Sequence, residues 1–339
     1  MKREHIPVIV WLCLGCLLIF TMVIVGGITR LTGSGLSMVD WNLFMGAIPP
    51  LNHQQWLEAF EQYKQFPEFQ QKNYMFSLAE FKNIFFWEYI HRLLGRFIGL
   101  VFIIPFIYFL IKKTLSKKLI LQCTLLLFMG GAQGFIGWWM VKSGLVNNPD
   151  VSHFRLATHL ITAFLTFAYT LWIMLSLIYP QKNYSNKRLH ALSLMLLIII
   201  IIQIVYGAFV AGLDAGKVYN TWPKMNEKWI AEAVYAMSPL WENFVNGLAG
   251  VQFIHRELAY LILGLIIYIF FKAKSLQLIK IEQQAVNLLL ITVCLQVILG
   301  ITTLIMGVPI WLGVAHQIGA FLLLGASVFS PFIFKKTQK

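Results

Sequence analysis

Eight stretches of this sequence are apolar and close to the length of a bilayer-spanning helix: residues 7–27, 89–111, 119–141, 156–179, 189–212, 253–271, 285–306 and 312–334. A helix needs about 20 mostly apolar residues to cross a bilayer. The third and fourth stretches carry some polar residues and the sixth is short. Backbone polar groups in lipid must be satisfied within the protein, which helices achieve. The chain is 58% hydrophobic and 12% charged, too apolar for a soluble domain of 339 residues. The expected fold class is therefore an all-α integral membrane protein with eight transmembrane helices.

Charge gives the expected topology. The net charge is +13. Lys2 and Arg3 precede the first span, Lys112, Lys113, Lys117 and Lys118 link the second to the third, and Lys182, Lys187 and Arg188 link the fourth to the fifth. Lys272, Lys274 and Lys280 link the sixth to the seventh, and Lys335, Lys336 and Lys339 follow the eighth. With eight spans all of these fall on one side, cytoplasmic by the positive-inside rule, with both termini inside. The opposite loop, 28–88, has Arg30, Lys64, Lys72 and Lys82 against six acids. The positive charge thus marks topology and anionic lipid, not nucleic acid. The basic start and long apolar run, without an A-x-A-like cleavage site, read as a retained signal anchor. Without an Arg- and Ser-rich transit segment, a bacterial inner membrane is the expected location. Cys13, Cys16, Cys123 and Cys294 all fall within spans, so no outer-loop disulfide is expected.

The chain repeats itself. Gly26–Gly35, GGITRLTGSG, follows the first span, and Gly207–Gly216, GAFVAGLDAG, ends the fifth. At the same offset Trp41 falls on Trp222. Glu88-Tyr-Ile-His91-Arg92 opens the second span and Gln252-Phe-Ile-His255-Arg256 the sixth. His159 and His316 follow in the fourth and eighth, and Gln133 and Gly137 correspond to Gln296 and Gly300. We read two tandem four-helix bundles, residues 1–184 and 185–339. An even number of spans per copy gives both the same orientation, related by a pseudo-twofold axis along the membrane normal. Loop 28–88 is long for a connection. It holds two amphipathic stretches, 53–66 and 77–88, suited to the membrane interface.

Ionisable side chains inside a membrane are costly and mark functional sites. His91, His159, His255 and His316 lie at one depth near the outer face, in repeat-related positions. Haem iron takes axial imidazoles, and bundle cores build such sites from facing helices. The natural pairs are His91 with His159 and His255 with His316. Zinc wants three or four closed ligands and fits two imidazoles poorly. Arg92 and Arg256, and less directly Arg96, are placed to bind haem propionates through a planar guanidinium. Glu88 shares a helical face with His91 and can move protons or oppose positive charge there. Gln252, its counterpart, cannot ionise, which suggests one reacting haem and one electron-carrying haem. Alternatives are a dihaem b-type electron-transfer protein without haem-modifying activity, and a two-repeat transporter using histidines as proton relays.

The sequence resembles the haem A synthase family over nearly its whole length. The resemblance rests on GGITRLTGSGLS from Gly26, Asp40-Trp41, QFPEF from Gln65, Glu80-Phe-Lys, EYIHR from Glu88 and Gly95-Arg. In the second half it rests on GAFVAGLDAG from Gly207, YNTWPKM from Tyr219 and FIHR from Phe253. It implies oxidation of the C8 methyl of haem O to formyl, through a hydroxymethyl intermediate, giving haem A for cytochrome oxidase. On that analogy His91 and His159 hold the substrate haem, His255 and His316 hold haem b, and Glu88 is the functional glutamate. The enzyme that makes haem O and the oxidase that receives haem A are the implied partners. The absence of outer-loop cysteine pairs places the chain nearer the long-loop branch shared by proteobacteria and mitochondria.

Overall fold

The structure, a computed structural model, describes residues 5–38, 48–145, 149–179 and 186–335. Lys2, Arg3, Asp40, Trp41, Lys182, Lys336, Lys339 and the 184/185 bundle boundary lie outside the described residues. The fold is all-helical, and among the described residues the only β-type pairing is an isolated bridge between Met225 and Lys228. Eight helices are long and apolar enough to cross a membrane: α1 (Ile6–Leu31), α3 (Leu78–Ile111), α4 (Lys117–Lys142), α5 (His153–Ile178), α6 (Lys187–Gly212), α8 (Leu248–Lys274), α9 (Lys280–Ile305) and α10 (Ile310–Phe334). Two short helices lie between them, α2 (His53–Lys64) and α7 (Glu242–Val245).

Several helices begin where the sequence supplies a cap. Ser116 and Asn186 each accept from a backbone N–H in the first turn, of Leu119 and Leu189 respectively. The largest departure from the sequence reading is at α3. Apolarity marks a start near residue 89, but the helix begins at Leu78 and runs for 34 residues. Ser77 and Glu80 form a reciprocal capping box there, and no proline or glycine interrupts the chain before Gly95. The second amphipathic stretch is thus the N-terminal end of a long apolar helix and not a separate element. At 1.5 Å per residue α3 is about 51 Å long, well over the roughly 30 Å of hydrocarbon. The sixth span likewise extends beyond its apolar core, to Leu248–Lys274.

The described chain divides into two compact units, residues 18–159 and residues 1–17 with 160–339. In the second unit α6 packs on α8, α8 on α9, α9 on α10 and α10 on α6, closing a ring of four helices. Leu196, Ile200, Ile266, Leu289, Val293 and Leu324 fill it. Buried Ser193 and Ser330 hydrogen-bond at 2.8 Å, and His190 reaches the carbonyl of Pro331 at 2.9 Å. Residues of α5 pack on α10 through Phe164 and Phe167 against Phe321, and Trp172 against Phe332. In the loop between α6 and α8, fully buried Asn243 bonds the backbone of Met237 in both directions and the carbonyl of Leu240.

In the first unit α2 docks on the N-terminal turns of α3. Phe60 and Tyr63 stack on Phe81 with ring centroids 5.1 Å apart, and Trp56 meets Phe85 edge-on. Tyr63 and Phe81 are fully buried. The Tyr63 hydroxyl donates to Glu68 and accepts from Asn73. Burial pushes the Glu68 carboxyl up to about 7, with Glu88 and Asp150 adding to the rise and the Tyr63 hydroxyl and Lys72 opposing it.

Candidate haem-ligand sites

The four histidines sit on four different helices, His91 on α3, His159 on α5, His255 on α8 and His316 on α10. Each expected pair falls inside one compact unit. His91 and His159 lie within electrostatic range of each other. The rings of His255 and His316 are nearly perpendicular, at 78°, with centroids 6.4 Å apart. Two imidazoles on opposite sides of one metal ion, each with a bond of about 2.0–2.1 Å and with ~1.1 Å from nitrogen to centroid, would be separated by about 6.3 Å. The centroid spacing of the second pair is close to this value. The Nδ1 atoms of His91, His255 and His316 are buried and make no hydrogen bond. Among the described residues no three His, Cys, Asp or Glu side chains come together.

One helical turn before His91 and His255 the halves differ. Glu88 is 3% exposed. Its carboxylate accepts from the Ser37 hydroxyl at 2.7 Å, the Met38 N–H at 2.8 Å and Arg92 Nη2 at 2.6 Å. Gln252, 2% exposed, instead donates from Nε2 to the carbonyls of Ala215 and Tyr219. An acid at this position gathers N–H and O–H donors, and an amide gathers carbonyls.

The arginines repeat a contact across the halves. Arg92 Nη2 donates to the Met38 carbonyl at 2.8 Å, and Arg256 Nη2 to the Tyr219 carbonyl at 2.8 Å. Met38 and Tyr219 correspond at the offset that aligns Gly26 with Gly207. The preceding turns match as well, with Gly33 (φ +64°) and its counterpart Asp214 (φ +53°) both left-handed. Each arginine thus ties the segment after the first helix of its half to the histidine-bearing helix. Arg256 also holds the Lys224 carbonyl, while its Nε is buried without a hydrogen bond. Arg96 lies one turn beyond Arg92 on α3.

The sequence reading did not single out Ser37 and the Met38 amide, whose role appears only once the loop folds back on α3. Gln203 and Gln296 also gain roles. Gln203 donates to the His255 carbonyl at 3.0 Å, and Gln296 Nε2 lies 3.4 Å from His316 Nε2. The match of Gln133 with Gln296 was the available signal for the second of these.

Comparison with known proteins fits this arrangement. Residues 9–328 match the COX15-CtaA family, described as cytochrome oxidase assembly protein. The chain belongs to this family. It is 52% identical over 338 residues to the heme A synthase of Flavobacterium psychrophilum, covering 98% of this chain and all of that protein. It is 44% identical over 327 residues to the heme A synthase of Nitrosospira multiformis, covering 95% of this chain and 92% of that protein. It is 41% identical over 331 residues to the heme A synthase of Wolbachia pipientis wMel, covering 96% and 92%.

Proposed function

We propose that this chain is a haem A synthase that oxidises the C8 methyl group of haem O to a formyl group. The observation that carries the reading is an ionisable side chain, Glu88, beside one imidazole pair and an amide, Gln252, beside the other, in a chain matching heme A synthases along its length. His91 and His159 hold the substrate haem O, and His255 and His316 hold haem b. When bound, haem b supplies reversible electron transfer. Glu88, one turn from His91, is placed to accept or donate a proton at the substrate-haem site. Ser37, the Met38 N–H and Arg92 hold its carboxylate in place. Arg256 offers Nε to a propionate of haem b, and Arg92 contributes to substrate propionate binding while clamping Glu88.

The two-bundle organisation, 1–184 and 185–339, belongs to the same proposal. It is supported by the matched arginine contacts and left-handed turns. The basic linkers support a bacterial inner-membrane location with both termini cytoplasmic and the haem sites near the outer face. Haem O synthase and cytochrome oxidase are the proposed donor and recipient.

Acid extraction and mass analysis of retained haems test the assignment. Wild-type protein should carry haem b together with haem O or its oxidised products. His91→Ala should lose the latter and His255→Ala the former. Recovery of haem b alone from active-site-intact protein would overturn the proposal in favour of a dihaem electron carrier.

A further inference from the structure

Each of the four histidine rings lies against a glycine on a neighbouring helix. A Cβ added at Gly26 of α1 would stand 3.1 Å from Cε1 of His91, and one at Gly137 of α4 would stand 3.2 Å from Cε1 of His159. The corresponding distances are 3.3 Å from Gly207 of α6 to His255 and 2.9 Å from Gly300 of α9 to His316. All are shorter than the roughly 3.5–4.0 Å of a relaxed carbon–carbon contact. In every case the nearest ring atom is Cε1, the carbon between the two nitrogens. Gly99, Gly130, Gly134 and Gly264, also in spans, would each put a Cβ into open space.

Ring orientation is the quantity at stake. The torsion that turns an imidazole about its Cβ–Cγ bond is broad, so the side chain does not fix its own plane. Metal-binding histidines usually fix it by donating the second ring nitrogen to a carboxylate or carbonyl. Here Nδ1 of His91, His255 and His316 is buried without such a bond. We infer that Gly26, Gly137, Gly207 and Gly300 are positioning residues whose bare backbone sets the plane of each ligand imidazole by contact with Cε1. A steric wall replaces the missing hydrogen bond. Helix packing beside the second site is equally tight. The Gln296 side chain passes so close to Gly319 that a Cβ there would lie 2.1 Å from its Oε1. Close approach of α9 and α10 thus depends on glycines on both helices.

This inference rests on the haem-ligand reading, and one set of measurements separates the two. Full-length protein in detergent would be examined by low-temperature electron paramagnetic resonance and by haem titration. The set is wild type, His316→Ala, Gly300→Ala, Gly207→Ala and the open-space control Gly264→Ala. Gly300→Ala, with the tightest contact, should shift the low-spin ferric signal of one haem and weaken its retention roughly tenfold, about 1.4 kcal/mol. Gly207→Ala should produce a smaller shift of the same signal, and Gly264→Ala none. If Gly300→Ala does not fold, the milder Gly207→Ala reads the same haem through its other ligand. A wild-type spectrum and retention in the glycine variants, with the signal still lost in His316→Ala, overturns the inference and leaves the ligand reading intact. A signal that survives in His316→Ala, or is absent from wild type, overturns both.

Discussion

Replacing Glu88 separates its structural role from its chemical one. The carboxylate and the Arg92 guanidinium are almost wholly buried, with side chains 4% and 9% exposed, and their closest atoms are 2.6 Å apart. Glu88→Gln keeps the shape and removes the charge, leaving Arg92 with the Met38 carbonyl as its remaining anchor in this cluster. Breaking one side of a buried pair costs about 3–5 kcal/mol. Arg92→Met leaves Glu88 two donors, Ser37 and the Met38 N–H, and should cost about 2–3 kcal/mol, near one lost charge-assisted hydrogen bond. The double variant should be less destabilised than the sum by about 2 kcal/mol, within the range for contacting pairs. Equilibrium unfolding in mixed micelles would measure all four proteins. Additivity within roughly 0.5 kcal/mol would refute the pairing argument. The same proteins decide the chemistry. If Glu88 serves only to neutralise Arg92, the double variant regains haem A formation. If its carboxylate carries protons, the double variant folds better than Glu88→Gln and still yields unoxidised or hydroxymethyl haem.

The outer segments carry two further tests. Glu68 is less acidic when folded than its ordinary 4.5, rising to about 7, so the folded chain holds its proton where the unfolded chain has lost it. Its contribution to stability should therefore be highest below about pH 4.5 and fall as pH rises towards 7. Glu68→Gln should flatten that slope in pH-dependent unfolding, and an unchanged slope would assign it to another group. Asn243→Ala removes three hydrogen bonds within the α6–α8 loop, at a cost of about 2 kcal/mol. Hydrogen exchange should rise between residues 231 and 247 with haem content unchanged, and unaltered protection there would refute the role given to this side chain.

The eight spans were legible because about twenty apolar residues in succession have few other uses. Their ends were not, since α3 and α8 continue through polar residues where capping, not lipid, decides the boundary. Repetition in the sequence singled out the four histidines, which the structure places on four different helices. The immediate surroundings of Glu88 were not. Ser37 and Met38 lie some fifty residues away in sequence, and only the left-handed turn at Gly33 brings them back to α3. Arg92 shows the limit most plainly. Its proximity to His91 suggested a propionate partner but gave no sign of its contacts to Glu88 and the Met38 carbonyl.

The length of α3 has a mechanical consequence. Phe81, on which the aromatic rings of α2 stack, and His91 belong to one uninterrupted helix, about 15 Å apart along its axis. Without a glycine or proline between them, the helix acts as a stiff rod with the α2 contact as its handle. A tilt imposed at α2 is delivered to His91 and Glu88 together. A spin label on the exposed face of α2 would report strain at His91 without touching it, and a binder that grips α2 would act on His91 from a distance.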